Sequence, residues 1–175
     1  MLLKENDANN VLVGAIDEIT NTSHTILNRL GLYKQGPVSN LDIYKTKTKG
    51  TIAGEGASFF LIAHEPSTTD YAKLDGLHTF YKPDGITEIE KQITSFLEKH
   101  AVSINDIDLI ITGKNGDAGE DKIYEQLGKT VFDSKDTVDY KYLCGEYPTA
   151  AAFAMWLAAN TIKAGKLPAM LNATV

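Results

Sequence analysis

Lys141, Cys144 and Glu146 bring an ammonium, a thiol and a carboxylate into one short stretch, and the apolar run AAAFAMWLAANTI follows almost at once. Gly145 and Pro148 bracket the acid, so it is expected at the mouth of a buried helix. There, free backbone N–H groups and the helix dipole favour an anion. Two roles are open to Glu146. As a structural acid it accepts first-turn N–H groups and gains about 0.3–1 kcal/mol from the dipole. As a general base it needs a raised pKa and a partner that the sequence does not name. The structural role is the preferred reading, and Lys141, five residues earlier, can neutralise the acid or hold its loop in place.

Other chemically capable residues are weaker candidates. Cys144 sits where a helix N-terminus lowers a thiol pKa, but no His lies within several residues, so a packed thiol is the preferred reading. The four histidines, His24, His64, His78 and His100, form no i, i+4 pair and no Cys cluster, so no metal is expected. Gly54-Glu55-Gly56-Ala57 precedes a strand and lacks a Lys-Ser/Thr ending, which excludes a phosphate loop and leaves a structural use. The loop Gly113–Gly119, with Lys114, follows a buried strand, and ligands bind at that end of open α/β sheets.

These residues must be positioned by a fold that 175 residues can build as one domain, 1–175, with a core of its own. A net charge of −6 offers no basic footprint for nucleic acid or an anionic membrane. With one cysteine and no long apolar span, the expected location is the cytoplasm, and no cofactor is called for.

Val11–Ile16 reads as a buried strand, and the segment after Thr22 or Ser23, up to Gly31, as a helix. Residues 34–50 read as a surface loop. Gly54 and Gly56 suggest a turn or close backbone approach leading into a central strand at Phe59–Ile62, with a second, antiparallel strand over Ala72–Tyr81. Ile86–Leu97 has helical spacing with Asp84 as cap, Leu109–Thr112 is a buried strand, and Glu120–Leu127 a helix. Thr130–Phe132 reads as a short strand and Lys135–Asp139 as a polar loop. Ala150–Ile162 is apolar on nearly every face and is expected to be central, whereas residues 167–175 contain no recognisable closing element. Met1–Glu5 looks like the last turns of a helix.

In this order the motifs resemble the later portion of the β-ketoacyl-acyl carrier protein synthases. They are VLVGAIDE, GEGASFFLI, a helix–strand pair ending in the glycine-rich loop and an acidic helix start with Asp121, and then Lys141-x-x-x-Gly145-Glu146-x-x-Thr149. The resemblance covers almost the whole chain. It implies an α/β, thiolase-like fold with a mixed central β-sheet and a buried helix. The chain would be the C-terminal half of that fold plus the end of the N-terminal half, a fragment of something longer. Gly54, Glu55, Gly56 and Asp121 would be structural, and Gly113, Gly145 and Thr149 would contact substrate.

The family's chemistry is acyl transfer through a nucleophilic cysteine and two oxyanion-stabilising histidines. The resemblance puts that cysteine upstream of VLVGAIDE, the first histidine at or near Gly113–Lys114 and the second on Glu146. A carboxylate there opposes the charge that a histidine stabilises, and losing one such donor costs about 2.7–4 kcal/mol. The first expectation is therefore a synthase-like protein of fatty-acid or polyketide-type assembly that is not itself catalytic. It would pair with a synthase-like subunit or with itself, in the manner of a chain-length factor, and would meet acyl carrier protein. Two alternatives stand beside it: an active thioester acyltransferase or hydrolase using Glu146 with Lys114 or Lys141, and an α/β interaction module.

Overall fold

The computed structural model describes residues 9–174, so the helix end expected at Met1–Glu5 lies outside the described residues. Strand β1, Asn10–Asp17, pairs antiparallel with β2, Gly56–Ala63, placing Leu12 opposite Leu61 and Gly14 opposite Phe59. Gly14 is required by that register, because a Cβ there would overlap the Phe59 ring. A second pair, β3 at Ile110–Thr112 and β4 at Thr137–Asp139, is parallel. Both strand senses are thus present, in two separate ribbons.

Among the described residues five helices connect and cover these strands: α1, Asn21–Arg29; α2, Ile86–Lys99; α3, Lys122–Leu127; α4, Lys141–Cys144; and α5, Ala150–Ala164. Helix α1 is capped by Thr20, whose hydroxyl accepts from Ser23 N while Ser23 returns a bond to the Thr20 N–H. The N-cap of α2 is Gly85 and not Asp84, whose own N–H is taken by Glu88 Oε2 at 2.6 Å.

Several expectations are corrected. Residues 72–81 form no strand: the antiparallel partner of β2 is β1, and His78 is drawn onto α2 by Gln92 at 2.8 Å and by stacking on Phe96. The apolar residues Leu74, Leu77, Phe80 and Tyr81 lack the period of two that would give the segment a sheet face. Thr130–Phe132 is a run of tight turns in which Thr130 N and Phe132 N both return to Leu127 O, closing α3. The strand instead lies at Thr137–Asp139, within the stretch read as polar loop.

Residues 34–50 are no mere surface loop. Ile43 has 0% of its surface exposed and joins Tyr140, Tyr142, Tyr147, Ala150, Leu157 and Leu171 in the core. Asn40 fastens this segment by donating to Tyr142 O at 2.9 Å. The chain end does close the core: a 3-10 turn at Ala169–Thr174 inserts Leu171, and Tyr142 Oη donates to Met170 O at 2.7 Å.

Helix α5 is buried on one side only. Ala150 and Leu157 are enclosed, but Trp156 is 48% exposed, because β2 and α4 cover a single face of the helix.

Candidate functional site

Two glycines set the site's backbone. Gly54 lies against Gly145 so closely that a Cβ on Gly54 would come within 2.8 Å of Gly145 Cα and overlap Cys144 O. This is the close backbone approach expected of Gly54. It allows Glu146 N to donate to Ile52 O at 2.8 Å and Gly54 N to Glu146 O at 3.0 Å. Glu146 is therefore held like a strand residue, bridged in parallel to Ala53.

Just before it, α4 makes a single turn that Gly145 ends at φ +72, its N–H returning to Lys141 O at 2.7 Å. That turn brings Lys141 beside Glu146, with Nζ 2.5 Å from Oε1. The Lys141 side chain is only 7% exposed, that of Glu146 30%, and Lys141 Nζ also stands 5.4 Å from the centre of the Tyr140 ring.

The glycine-rich loop supplies the other partner. Asp121 accepts from Asn115 N and Gly116 N, each at 3.0 Å, and folds the loop back on itself. Burial raises the Asp121 pKa above the usual carboxylate value, against those two N–H groups and Lys114, which lower it. In this fold-back Asn115 Nδ2 reaches Glu146 Oε2 at 3.0 Å. Asp117 braces the loop from outside by accepting from Gly50 N, Gly119 N and Glu120 N. Lys34 Nζ donates to Gly116 O at 2.9 Å.

The remaining candidates separate. Lys114 turns to Asp139, 3.9 Å away, while Asp139 also accepts from the Thr112 hydroxyl. Gly113 lies under the Tyr124 hydroxyl and lines the same cleft as Lys141 and Glu146. The Thr149 hydroxyl and N–H both donate to Asp17 Oδ2, which ties the start of α5 to the end of β1, and Thr149 does not itself line that cleft, though Pro148 and Ala151 do. Glu55 accepts from Ile19 N at 3.1 Å, clasping the turn after β1, and Gly56 leaves room for the Tyr147 hydroxyl.

Cys144 lines a different cavity of about 720 Å3 with Leu143, Tyr147 and Phe153. Burial pushes its thiol pKa up, with Lys141 opposing, so the thiol is protonated at neutral pH rather than poised as a nucleophile. None of the four histidines lines either cavity: His24 stacks on Tyr33, His64 pairs with Glu65, and His78 and His100 flank Phe96. Among the described residues no group of His, Cys, Asp and Glu is placed to hold a metal ion. No helix among them is long and apolar enough to cross a membrane.

Reading the sequence missed Asn115 and Asp17. A polar residue between Gly113 and Gly116 at a strand's C-terminal end was the available signal for the first, and an acid closing β1 for the second. The resulting arrangement has both Glu146 oxygens engaged by donors and the Lys141 ammonium engaged by Glu146. It presents a neutralised carboxylate and neither a free base nor a set of oxyanion donors.

No protein-family model matches this sequence, and neither does any curated protein. Two solved structures do match in fold. The ishigamide ketosynthase/chain length factor is 19% identical with a TM-score of 0.72, over 94% of this chain and 43% of that one. A beta-ketoacyl synthase from Burkholderia phymatum STM815 is 16% identical with a TM-score of 0.60, over 93% of this chain and 44% of that one. The protein therefore has the thiolase-like fold of the ketosynthases, across a span somewhat under half the length of the two chains it matches.

Proposed function

We propose that this chain is a non-condensing, ketosynthase-like component of fatty-acid or polyketide-type acyl-chain assembly, acting as the partner of a ketosynthase in the manner of a chain-length factor. The observation that carries the reading is the closed triad of Lys141, Glu146 and Asn115. Condensation needs donors aimed at a developing oxyanion, and a carboxylate held at that place repels it. The loss of one such donor alone lowers turnover by about 10²–10³. The fold likeness to a ketosynthase/chain length factor supports the partner role. An active hydrolase or acyltransferase would need Glu146 or Lys141 free to exchange a proton, and each is occupied by the other.

In this reading Glu146 and Lys141 preserve the local structure of a former reaction centre, Lys114 serves Asp139, and carrier protein is met by the assembled pair. The test incubates the purified chain with malonyl-carrier protein, alone and with a ketosynthase, and follows carbon dioxide release and complex formation by light scattering. No release by the chain alone and a stable mixed complex are expected. Decarboxylation by the isolated chain overturns the non-condensing assignment, and absence of any complex overturns the partner role.

A further inference from the structure

Strands β1 and β2 form a ribbon with two unlike faces. Asp17 and Gly56 are partners in its register, and both face the start of α5: Asp17 accepts from Thr149 N, and a Cβ on Gly56 would meet the Tyr147 hydroxyl. Ser58, Phe60 and Ile62 share that inward side and are half-buried, and α5 packs against β2. The alternate residues point the other way. They are Asn10, Leu12, Gly14 and Ile16 of β1, paired with Ala63, Leu61, Phe59 and Ala57 of β2.

This outward face has no charged side chain, and the Phe59 ring lies across Gly14. Leu12, Ile16, Phe59 and Leu61 keep between 55% and 72% of their surface exposed, so nothing among the described residues covers them. A contiguous apolar face of this kind marks an interaction surface. Its size fits one helix. Eight residues of strand run roughly 26 Å and two strands are roughly 10 Å across, the footprint of an α-helix of about 17 residues. The inward side already takes a helix, α5.

The charges bordering the ribbon choose among helices. Residues 9–19 and 55–65 contain Asp17, Glu18, Glu55 and Glu65 but no Lys or Arg. Glu18 and Glu55 stand exposed at one end of the ribbon, and Glu65, beside His64, at the other. A second copy of the chain would set acids against acids whichever way its ribbon ran, whereas basic residues at the ends of an incoming helix are complementary.

We propose that the outward face of β1 and β2 docks an amphipathic helix of a partner protein, with its apolar stripe on Leu12, Ile16, Phe59 and Leu61 and with Lys or Arg at both of its ends. This goes beyond the partner reading above, since it fixes the occupant's chemistry and stands whether or not that helix belongs to a ketosynthase.

The test is fluorescence anisotropy of labelled helical peptides of about 18 residues, titrated with the whole chain at moderate salt. One peptide has leucines at i, i+3, i+4 and i+7 spacing and lysines at both ends, a second has glutamates at the ends, and a third has the stripe scrambled. The lysine-ended peptide is expected to saturate at one equivalent, at least about tenfold more tightly than either of the others. Leu61→Ser, at an exposed position, should weaken it about tenfold, and Leu12→Ser replaces that variant if it does not fold. Glu18→Gln combined with Glu65→Gln should shrink the preference for lysine over glutamate ends. The proposal is overturned if the glutamate-ended or scrambled peptide binds as well, if the serine variants bind unchanged, if the double variant keeps the full preference, or if no peptide saturates. It is also overturned if light scattering shows a dimer of the free chain that Leu61→Ser dissociates, because a second copy then takes the face.

Discussion

Replacing Glu146 by Gln leaves the Lys141 ammonium where it is and removes the charge that compensates it. The Lys141 side chain keeps 7% of its surface in solvent, and its Nζ stands 2.5 Å from Glu146 Oε1 and 5.4 Å from the Tyr140 ring centre. Removing one partner of a fully buried pair costs about 3–5 kcal/mol. Glu146 is 30% exposed, so water already screens part of that attraction, and the expected cost of Glu146→Gln falls to about 2–3 kcal/mol. For a chain of this size that lowers Tm by roughly 4–12 °C.

The reciprocal change is milder. Lys141→Met fills the volume of the lysine stem and leaves Glu146 with the Asn115 amide and solvent, which costs about 1 kcal/mol. The double variant has no orphaned charge and should be more stable than the sum of the two losses implies, with a coupling of about 2 kcal/mol. Urea unfolding of the four proteins, followed by far-ultraviolet circular dichroism at neutral pH, gives all these quantities. The reasoning is refuted if Glu146→Gln costs less than about 0.5 kcal/mol, or if the single costs add to within about 0.5 kcal/mol in the double variant.

Two further perturbations test the frame around this pair. Gly54→Ala drives a methyl group into the backbone at Cys144 and Gly145, where neither side can rotate away, so thermal melts should show a loss of about 1–3 kcal/mol. Gly36→Ala, at a positive φ but with open space around it, should lose only about 1 kcal/mol. Asp117→Asn tests the loop: burial raises the Asp117 pKa, but the N–H groups of Gly50, Gly119 and Glu120, with Lys34, outweigh it and hold the value below the usual one. A depressed folded value stabilises above the unfolded pKa, near about 3.9, and that stabilisation is lost as pH falls through the folded value. The variant should therefore be about 1 kcal/mol less stable at pH 7, with the gap beginning to shrink below about pH 4 and closing only once the pH has fallen through the depressed folded value. A gap that persists into acid refutes the assignment.

What could be read from the sequence follows from how far apart the cooperating residues lie. The apolar runs of β1 and β2, and the long apolar run of α5, are local signals, and each element spans close to the expected residues; but β1 and β2, read as buried and central strands, form a two-stranded ribbon that leaves Leu12, Val13, Ile16, Phe59 and Leu61 exposed. Lys141 and Glu146 are five residues apart across one turn, so their pairing was also local. Strand β4 was hidden because Thr137-Val138-Asp139 offers a single apolar residue, and it exists through its ladder with β3, 27 residues earlier. Ile43 was hidden because it is the buried member of a stretch otherwise rich in Lys and Thr, and its burial depends on tyrosines about a hundred residues away.

Asn115 was the costliest omission, for a physical reason that bears on the chemistry. Its side chain meets Glu146 only because Asp121 has first drawn the N–H groups of Asn115 and Gly116 together, and only because Gly54 admits Gly145 close enough to fix the Glu146 backbone. Two folded-back segments must both be right before the contact exists. On the proposed reading, Glu146 stands where the synthases carry a histidine. The tertiary contacts supply what that carboxylate does, which is to bind Lys141 and Asn115 at once as a charge-compensated structural joint.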